Sequence, residues 1–252
     1  MELVALHGFA NTVAQWDAVA AALPDHMQLR TIALPGHVDG VPLGATWDAT
    51  IAQLATLVQP EGQRPARLCI GYSLGARLAL GLVAAGHVEH AVLVSVNPGL
   101  QLAAQRNMRR AVDAEWATLL RTQGTAAFAQ AWQAQALFAS QRQVAAELRS
   151  ARATQRLRHN PVDLADAMDV MGLAAMPNYR AVIAAQPRRL HLVVGELDVK
   201  FVALAQQLTT AHPDVTCTTI PGCGHDPTLE APTALAQIAA SIASSLTPRT
   251  AD

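Results

Sequence analysis

The chain has 252 residues, 51% of them hydrophobic, with 18 Lys plus Arg against 19 Asp plus Glu and a net charge of −1. That length can bury a large core, and the near-neutral balance lacks the clustered basic excess with which proteins grip nucleic acid or an anionic membrane, so small molecules are the expected partners. No stretch approaches the roughly 18 consecutive apolar residues of a spanning helix, the start "MELVAL" lacks the basic flank of a secretion signal, and the cysteines at 69, 217 and 223 suit reduced thiols better than disulfides or a zinc site, all pointing to the cytoplasm.

The first apolar run, residues 3–6, reads as a strand and leads into "LHGF" at 6–9; a helical pattern follows at 16–23. A second strand is expected at 29–34, with "LPGHVDG" after it, and a second helix at 50–57. Residues 68–70 form a third strand containing Cys69, which ends in "GYSLGAR" at 71–77 and an Ala/Leu-rich helix. "GHVEH" at 86–90 reads as a turn; His87 and His90 lack the further ligands a metal site needs. A fourth strand is expected at 91–96. Residues 98–178 show no strand, only Ala/Gln/Arg-rich helical segments punctuated by Gly124, Pro161, Gly172 and Pro177. Two more strands, 190–194 and 215–220, close the pattern, and 247–252 resembles a frayed tail.

Continuously apolar strands alternating with helices imply a mostly parallel sheet of about six strands, covered on both faces. The expected organisation is one α/β core, residues 1–97 and 178–252, interrupted after the fourth strand by a helical lid, residues 98–177, with hinges near Pro98 and Pro177.

Gly71-Tyr72-Ser73-Leu74-Gly75 has the spacing G-x-S-x-G, in which the glycines permit a tight strand-to-helix turn that exposes the serine oxygen. The same pattern also serves as a plain helix N-cap. A serine hydroxyl becomes reactive only beside a histidine oriented by a carboxylate, in the chain order Ser, Asp or Glu, His. Asp198 follows the fifth predicted strand and His225 the sixth, at the strand ends where parallel sheets place catalytic groups. Glu196 and Asp226 are rival carboxylates; the position of Asp198 after its strand favours it. "LHGF" fits the segment whose backbone N–H, that of Phe9, pairs with the N–H of Leu74 as an oxyanion hole, with His7 serving as a turn residue.

Arg77 lies four residues after Ser73, on the same helical face and among Leu74, Ala76, Leu78, Ala79 and Leu80. A charge there is costly without an anion, which is either a ligand or a core carboxylate in a salt bridge. Residues 98–180 hold ten Arg against six acidic residues, +4, while the remainder holds eight basic and thirteen acidic, −5. A positive lid over a negative body suits a multiply anionic ligand. Trp116, Phe128, Trp132 and Phe138 recur at spacings of an apolar helix face and read first as core.

These residues resemble the α/β-hydrolase superfamily over nearly the whole chain. "GYSLGAR", "NPGLQLAAQRNMRRAVDAEW" at 97–116, "FASQRQ" at 138–143 and "GELDVKFVALAQQL" at 195–208 resemble, within it, the 2-succinyl-6-hydroxy-2,4-cyclohexadiene-1-carboxylate synthases, pyruvate-eliminating lyases of menaquinone biosynthesis. The resemblance implies an α/β-hydrolase fold and an elimination without cofactor or metal, in which Ser73, Asp198 and His225 act as a base on a tricarboxylate and no acyl-enzyme forms. It assigns carboxylate binding to Arg109 and Arg156 beside Arg77, and it puts Trp132 at a pocket-facing position; Tyr72 is a further binding candidate as the neighbour of Ser73. Arg106, Arg110 and Arg158 are near neighbours at helical spacings and compete for the same roles.

The sequence departs from the family at Val38, where a glycine is usual, at Ala33, where an aspartate is usual, and at Ala76 in place of a second glycine. These change loop shape more than chemistry. With its first strand leading directly into the oxyanion loop, the sheet is expected to lack the first two strands of larger relatives. The triad alone equally serves a serine esterase or carbon–carbon bond hydrolase, which would favour an apolar acyl pocket; a noncatalytic relative would have lost a triad member. Nothing in the sequence selects an oligomeric state.

Overall fold

The computed structural model describes residues 1–59 and 64–246; the expected frayed tail at 247–252 lies outside them. In chain order, strand β1 (Glu2–Leu6) is followed by a 3-10 turn (Val13–Trp16) and helix α1 (Asp17–Ala21), then β2 (Gln28–Ile32), α2 (Trp47–Val58), β3 (Ala66–Tyr72), α3 (Leu74–Ala84) and β4 (Val88–Val94). The insertion contains α4 (Ala103–Gln133), a 3-10 segment (Ala136–Gln143), α5 (Ala146–Arg156) and α6 (Pro161–Met171), followed by the short α7 (Arg180–Ala185). The core resumes with β5 (Leu190–Gly195), α8 (Val199–Ala211), β6 (Thr216–Ile220), α9 (Pro227–Glu230) and α10 (Pro232–Leu246).

The six strands form one sheet in the order β2-β1-β3-β4-β5-β6, every pair parallel. Side chains alternate across it as the pleat requires. Val4, Leu6 and Cys69 face a core shared with α2, α3 and α8, whereas Leu3, Ala5, Leu68 and Ile70 face a second core with Trp16, Val19 and the Leu235, Ala236 and Ala239 stripe of α10. Burial on both faces explains why these strands read as unbroken apolar runs.

The alternation predicted the six strands to within a few residues, with one correction. "GHVEH" is a turn only at its start, because β4 begins at Val88 and includes His90, which pairs with Leu68 of β3. Among the described residues, no group of three or more His, Cys, Asp or Glu is placed to hold a metal ion, no helix is long and apolar enough to cross a membrane, and Cys69, Cys217 and Cys223 are free thiols.

The insertion leaves the sheet after β4 and contains no strand. Its two ends meet, with the Tyr179 N–H donating to the Pro98 carbonyl at 2.8 Å. Gly124 bends α4 with φ 78° and ψ −179°, values that no helical residue adopts. Leu120 and Phe128, on either side of the bend, both belong to the core cluster that includes Leu164 and Met168 of α6.

Three buried histidines tie the loops around the site together. His7 Nδ1 donates to the Gly8 carbonyl at 2.8 Å and its Nε2 accepts from Leu34 N–H at 3.0 Å; His37 Nε2 accepts from Ala10 N–H at 3.2 Å; His159, from the insertion, accepts from Val38 N–H at 3.0 Å. The rings meet edge to face, His7 to His37 at 5.1 Å and His37 to His159 at 5.3 Å. Burial pushes His7 from 6.5 to about 3 and His159 from 6.5 to about 4, and holds His37 well below 6.5. Each is therefore neutral in the fold, while the unfolded chain takes up protons below pH 6.5. Stability from these groups is complete above that pH and falls as pH drops toward 4 and then 3, each histidine costing about 1.4 kcal/mol per pH unit across its own window. The urea midpoint should thus drop steeply between pH 6.5 and 4, and replacing His7 with Gln should flatten that slope; an unchanged slope in the variant would show that the cluster is not responsible.

Candidate active site

The nucleophile-type turn follows from close packing. A Cβ on Gly71 would lie 2.3 Å from the Gly75 carbonyl oxygen, and one on Gly75 would lie 2.1 Å from that of Leu6. Only glycines let α3 start this close to β1 and β3. Between them Ser73 takes φ 51° and ψ −103°, a conformation costly for any residue with a side chain. It occupies the N-cap position, yet its side chain makes no capping hydrogen bond, so the plain cap reading is set aside. Ser73 lines a cavity of about 130 Å³ together with His225, Phe9, Arg77, Arg109, Trp132, Lys200 and Phe201, among others.

His225 and Asp198 lie on the loops after β6 and β5. His225 Nδ1 and Asp198 Oδ2 are 2.6 Å apart, both residues almost fully buried. A carboxylate accepts, so Nδ1 is the donor in this bond and Nε2 is the ring nitrogen left to the cavity that His225 lines. Leu197 N–H donates to the Cys223 carbonyl at 2.8 Å, fastening the two loops to each other. The rival carboxylates are occupied elsewhere: Glu196 is exposed and accepts from Gly222 N–H at 2.8 Å, while Asp226 is buried against Arg152 and Thr228.

The N–H groups of Phe9 and Leu74 donate to no carbonyl among the described residues. Leu74 opens α3, where backbone N–H groups are free by construction and the helix dipole favours an anion. The cavity thus gathers an imidazole, a hydroxyl, the Phe9 segment and a set of cations, with the Leu74 N–H at the start of α3 next to Ser73.

Arg77 lines the cavity without a direct ion pair to a core carboxylate among the described residues. Its Nη1 donates to the Met171 carbonyl at 2.9 Å and its guanidinium lies 5.9 Å from the Trp47 ring, but it forms no ion pair among the described residues. Burial, with a smaller contribution from Arg109 and against the opposing pull of the Asp113 carboxylate, pushes it down from 12.5 to about 9, and it remains a cation at neutral pH. Arg109 also faces the cavity, sharing its charge with Asp113 at 2.7 Å. Trp132 lines the wall, stacked on Phe128 at 5.2 Å.

Two expected binding residues stand elsewhere. Tyr72 is 3% exposed and packs behind the turn, with its ring 5.5 Å from that of His225 and close under Gly8, because the residue before the serine is still on the strand and points into the opposite core. Arg156, also buried, lines a neighbouring cavity of about 740 Å³ with Arg142, Arg149 and Arg152; it donates to Gln133 and lies 5.9 Å from the Phe138 ring. Phe138 in turn lies 5.9 Å from His225, and Gln135 lines both cavities.

Sequence reasoning missed Lys200, two residues past Asp198 and on the cavity wall, although "GELDVKF" contains it. It also missed Ser95, whose Oγ donates to the His225 carbonyl at 2.9 Å and whose backbone has φ 52°. A small polar residue just past the C-terminal end of a parallel strand was the available signal.

The family model described as "Alpha/beta hydrolase family" matches residues 3–238. A 2-succinyl-6-hydroxy-2,4-cyclohexadiene-1-carboxylate synthase from Enterobacter sp. (strain 638) is 32% identical over 95% of this chain and 90% of the relative, and one from Escherichia coli O7:K1 is 31% identical over 91% and 88%. The structure of MenH from S. aureus superposes with a TM-score of 0.90 at 26% identity, covering 98% of this chain and 94% of that one. A thermophilic esterase from Thermogutta terrifontis, with a TM-score of 0.82 at 20% identity over 98% and 91%, shares the fold. With a serine turn, an Asp198–His225 pair and an unpaired arginine around one cavity, this chain belongs to the 2-succinyl-6-hydroxy-2,4-cyclohexadiene-1-carboxylate synthase family of the α/β-hydrolases.

Proposed function

We propose that the protein is a lyase that eliminates pyruvate from 2-succinyl-5-enolpyruvyl-6-hydroxy-3-cyclohexene-1-carboxylate, forming the product for which its relatives are named, in menaquinone biosynthesis and in the cytoplasm. The observation that carries this reading is Arg77, a cation with no direct ion pair among the described residues one helical turn behind Ser73, in a cavity that also holds Arg109 and Lys200. An acyl pocket for neutral esters has no use for three cations. A tricarboxylate does, since guanidinium forks hold and orient planar carboxylates while water is removed.

In this reading Ser73, Asp198 and His225 form the base. His225 Nε2 takes the Ser73 proton as the seryl oxygen takes a ring proton, and Asp198 steadies the imidazolium. The N–H groups of Phe9 and Leu74 hold the enolate that develops on the succinyl carbonyl. The enolate electrons re-form the carbonyl, the ring gains its second double bond, the C–O bond breaks, and the departing enolate is protonated to pyruvate. No bond to the enzyme forms.

The insertion, residues 98–177, acts as the lid in this scheme. The catalytic cavity of about 130 Å³ is smaller than the roughly 300–1,000 Å³ usual for ligand sites. Substrate entry therefore shifts the partition of Gln135 and Phe138, joining the two cavities and bringing Arg156 within reach of a carboxylate.

The test is to generate the enolpyruvyl substrate enzymatically, add the protein, and follow pyruvate release beside p-nitrophenyl ester cleavage. Fast pyruvate release with negligible ester cleavage is expected; the reverse pattern would overturn the reading.

A further inference from the structure

A chain of buried polar contacts runs from the insertion to both catalytic loops. Arg152, on α5, donates from Nη1 to Asp226 Oδ2 at 3.1 Å, with its side chain 11% and that of Asp226 1% exposed. Its Nη2 approaches the Gln15 carbonyl and Thr228 Oγ1, each at 3.5 Å. Asp226 is the residue after His225. Its Oδ1 accepts from Thr228 N–H at 3.2 Å and Gln15 Nε2 at 3.4 Å. Gln15, itself buried, donates from Nε2 to Thr228 Oγ1 at 2.9 Å and accepts through Oε1 from Gly8 N–H at 2.8 Å. Gly8 is the residue before Phe9. One helix of the insertion thereby reaches the neighbour of the catalytic histidine directly and the neighbour of the oxyanion donor through a single side chain. A second contact of the same helix falls on the same loop, where Thr12 Oγ1 donates to Gln155 Oε1 at 3.4 Å.

Helix capping and core filling do not require a buried arginine here, and an Arg–Asp pair in the interior contributes little net stability relative to apolar packing. What such a pair does supply is direction, since two charges and their hydrogen-bond partners fit in one arrangement. We propose that Arg152 is a positioning residue: with Asp226 and Gln15 it sets the histidine loop and the oxyanion loop into register only when α5 is seated on the core. This rests on the elimination proposed above, but its alignment claim concerns His225 alone and is testable without substrate. Arg152 is absent from the lining of the cavity at Ser73, and although it lines the neighbouring cavity its guanidinium is committed to Asp226, so its removal should act on the rate of the bound complex rather than on binding.

The experiment compares wild-type protein with Arg152→Met, Arg152→Lys and the charge-neutral pair Arg152→Met/Asp226→Asn. The readouts are kcat and KM for pyruvate release, melting temperature, and the far-downfield proton resonance of His225 Nδ1, assigned by its loss in His225→Gln. In Arg152→Met, kcat should fall about tenfold to a hundredfold, the range for a small misplacement of catalytic groups, with KM within about twofold and the His225 resonance broadened; Arg152→Lys should recover part of both. The double variant leaves no unpaired buried charge, so it should fold even where the single variant does not, and its kcat should stay low. The proposal is overturned by a wild-type kcat in Arg152→Met or in the double variant, by a rise in KM at constant kcat, which would make Arg152 a ligand, or by an unaltered His225 resonance. If the wild-type protein releases no pyruvate, the functional reading fails, and the resonance alone still decides the positioning claim.

Discussion

Ser73→Ala should lower pyruvate release by about three orders of magnitude or more, the scale on which loss of one member disables a triad acting as a unit, while KM changes little. The hydroxyl contributes no capping bond and has no other hydrogen bond among the described residues, so the melting temperature should stay near that of the wild type. The backbone supplies an internal control. At φ 51° a residue with a Cβ is strained, and a glycine is not, so Ser73→Gly should be equally inactive yet more stable than Ser73→Ala by about 1 kcal/mol. Elimination within tenfold of wild type in either variant would remove Ser73 from the chemistry.

Arg77→Met should separate function from stability in the opposite sense. A hydrogen-bonded contact with a charged group is worth about 1.5–3 kcal/mol, so losing it should reduce kcat/KM for the tricarboxylate roughly tenfold to a hundredfold. The same change removes a buried guanidinium that forms no direct ion pair among the described residues, only the longer-range pull of Asp113, and whose burial already pushes it down to about 9. Replacing it by an apolar side chain of similar length against the Trp47 ring should raise stability by about 1 kcal/mol, since burying a charge without a direct ion pair costs more than its contact with the Met171 carbonyl returns. A urea titration of the two proteins checks this. Unchanged kcat/KM would end the role assigned to Arg77, and a marked loss of stability would mean that its contacts with the Met171 carbonyl and Trp47 outweigh the charge. The activity loss should also shrink at high salt if the contact is electrostatic.

Much of this was legible in the sequence because its causes are local. Apolar runs of five or so residues become strands wherever a sheet buries both faces, so β1 to β6 could be read one at a time. The turn at Ser73 is encoded by two glycines whose missing Cβ atoms are demanded by backbone only a few residues or one strand away. Asp198 and His225 could be named because a parallel sheet gathers the ends of consecutive strands at one edge, and chain order alone then ranks the candidates.

The cations were a different matter. Arg77 was placed by its spacing from Ser73, within one turn, but whether a carboxylate waited for it depended on what α4, α6 and α2 bring to its tip. Arg156 and Lys200 exchanged places: the arginine, 83 residues beyond the serine, turns into a neighbouring cavity, while the lysine beside Asp198 lines the site. Asp226 was a rival to Asp198 as the orienting carboxylate on the sequence and became, through Arg152 on α5, a buried tether. Composition and spacing determined the strands, the elbow at Ser73 and the placing of Asp198 and His225 at neighbouring strand ends, where they pair. Only the packing of the inserted helices on the sheet decided which long, flexible side chains meet, because their reach of several ångströms exceeds anything that periodicity along one helix can specify.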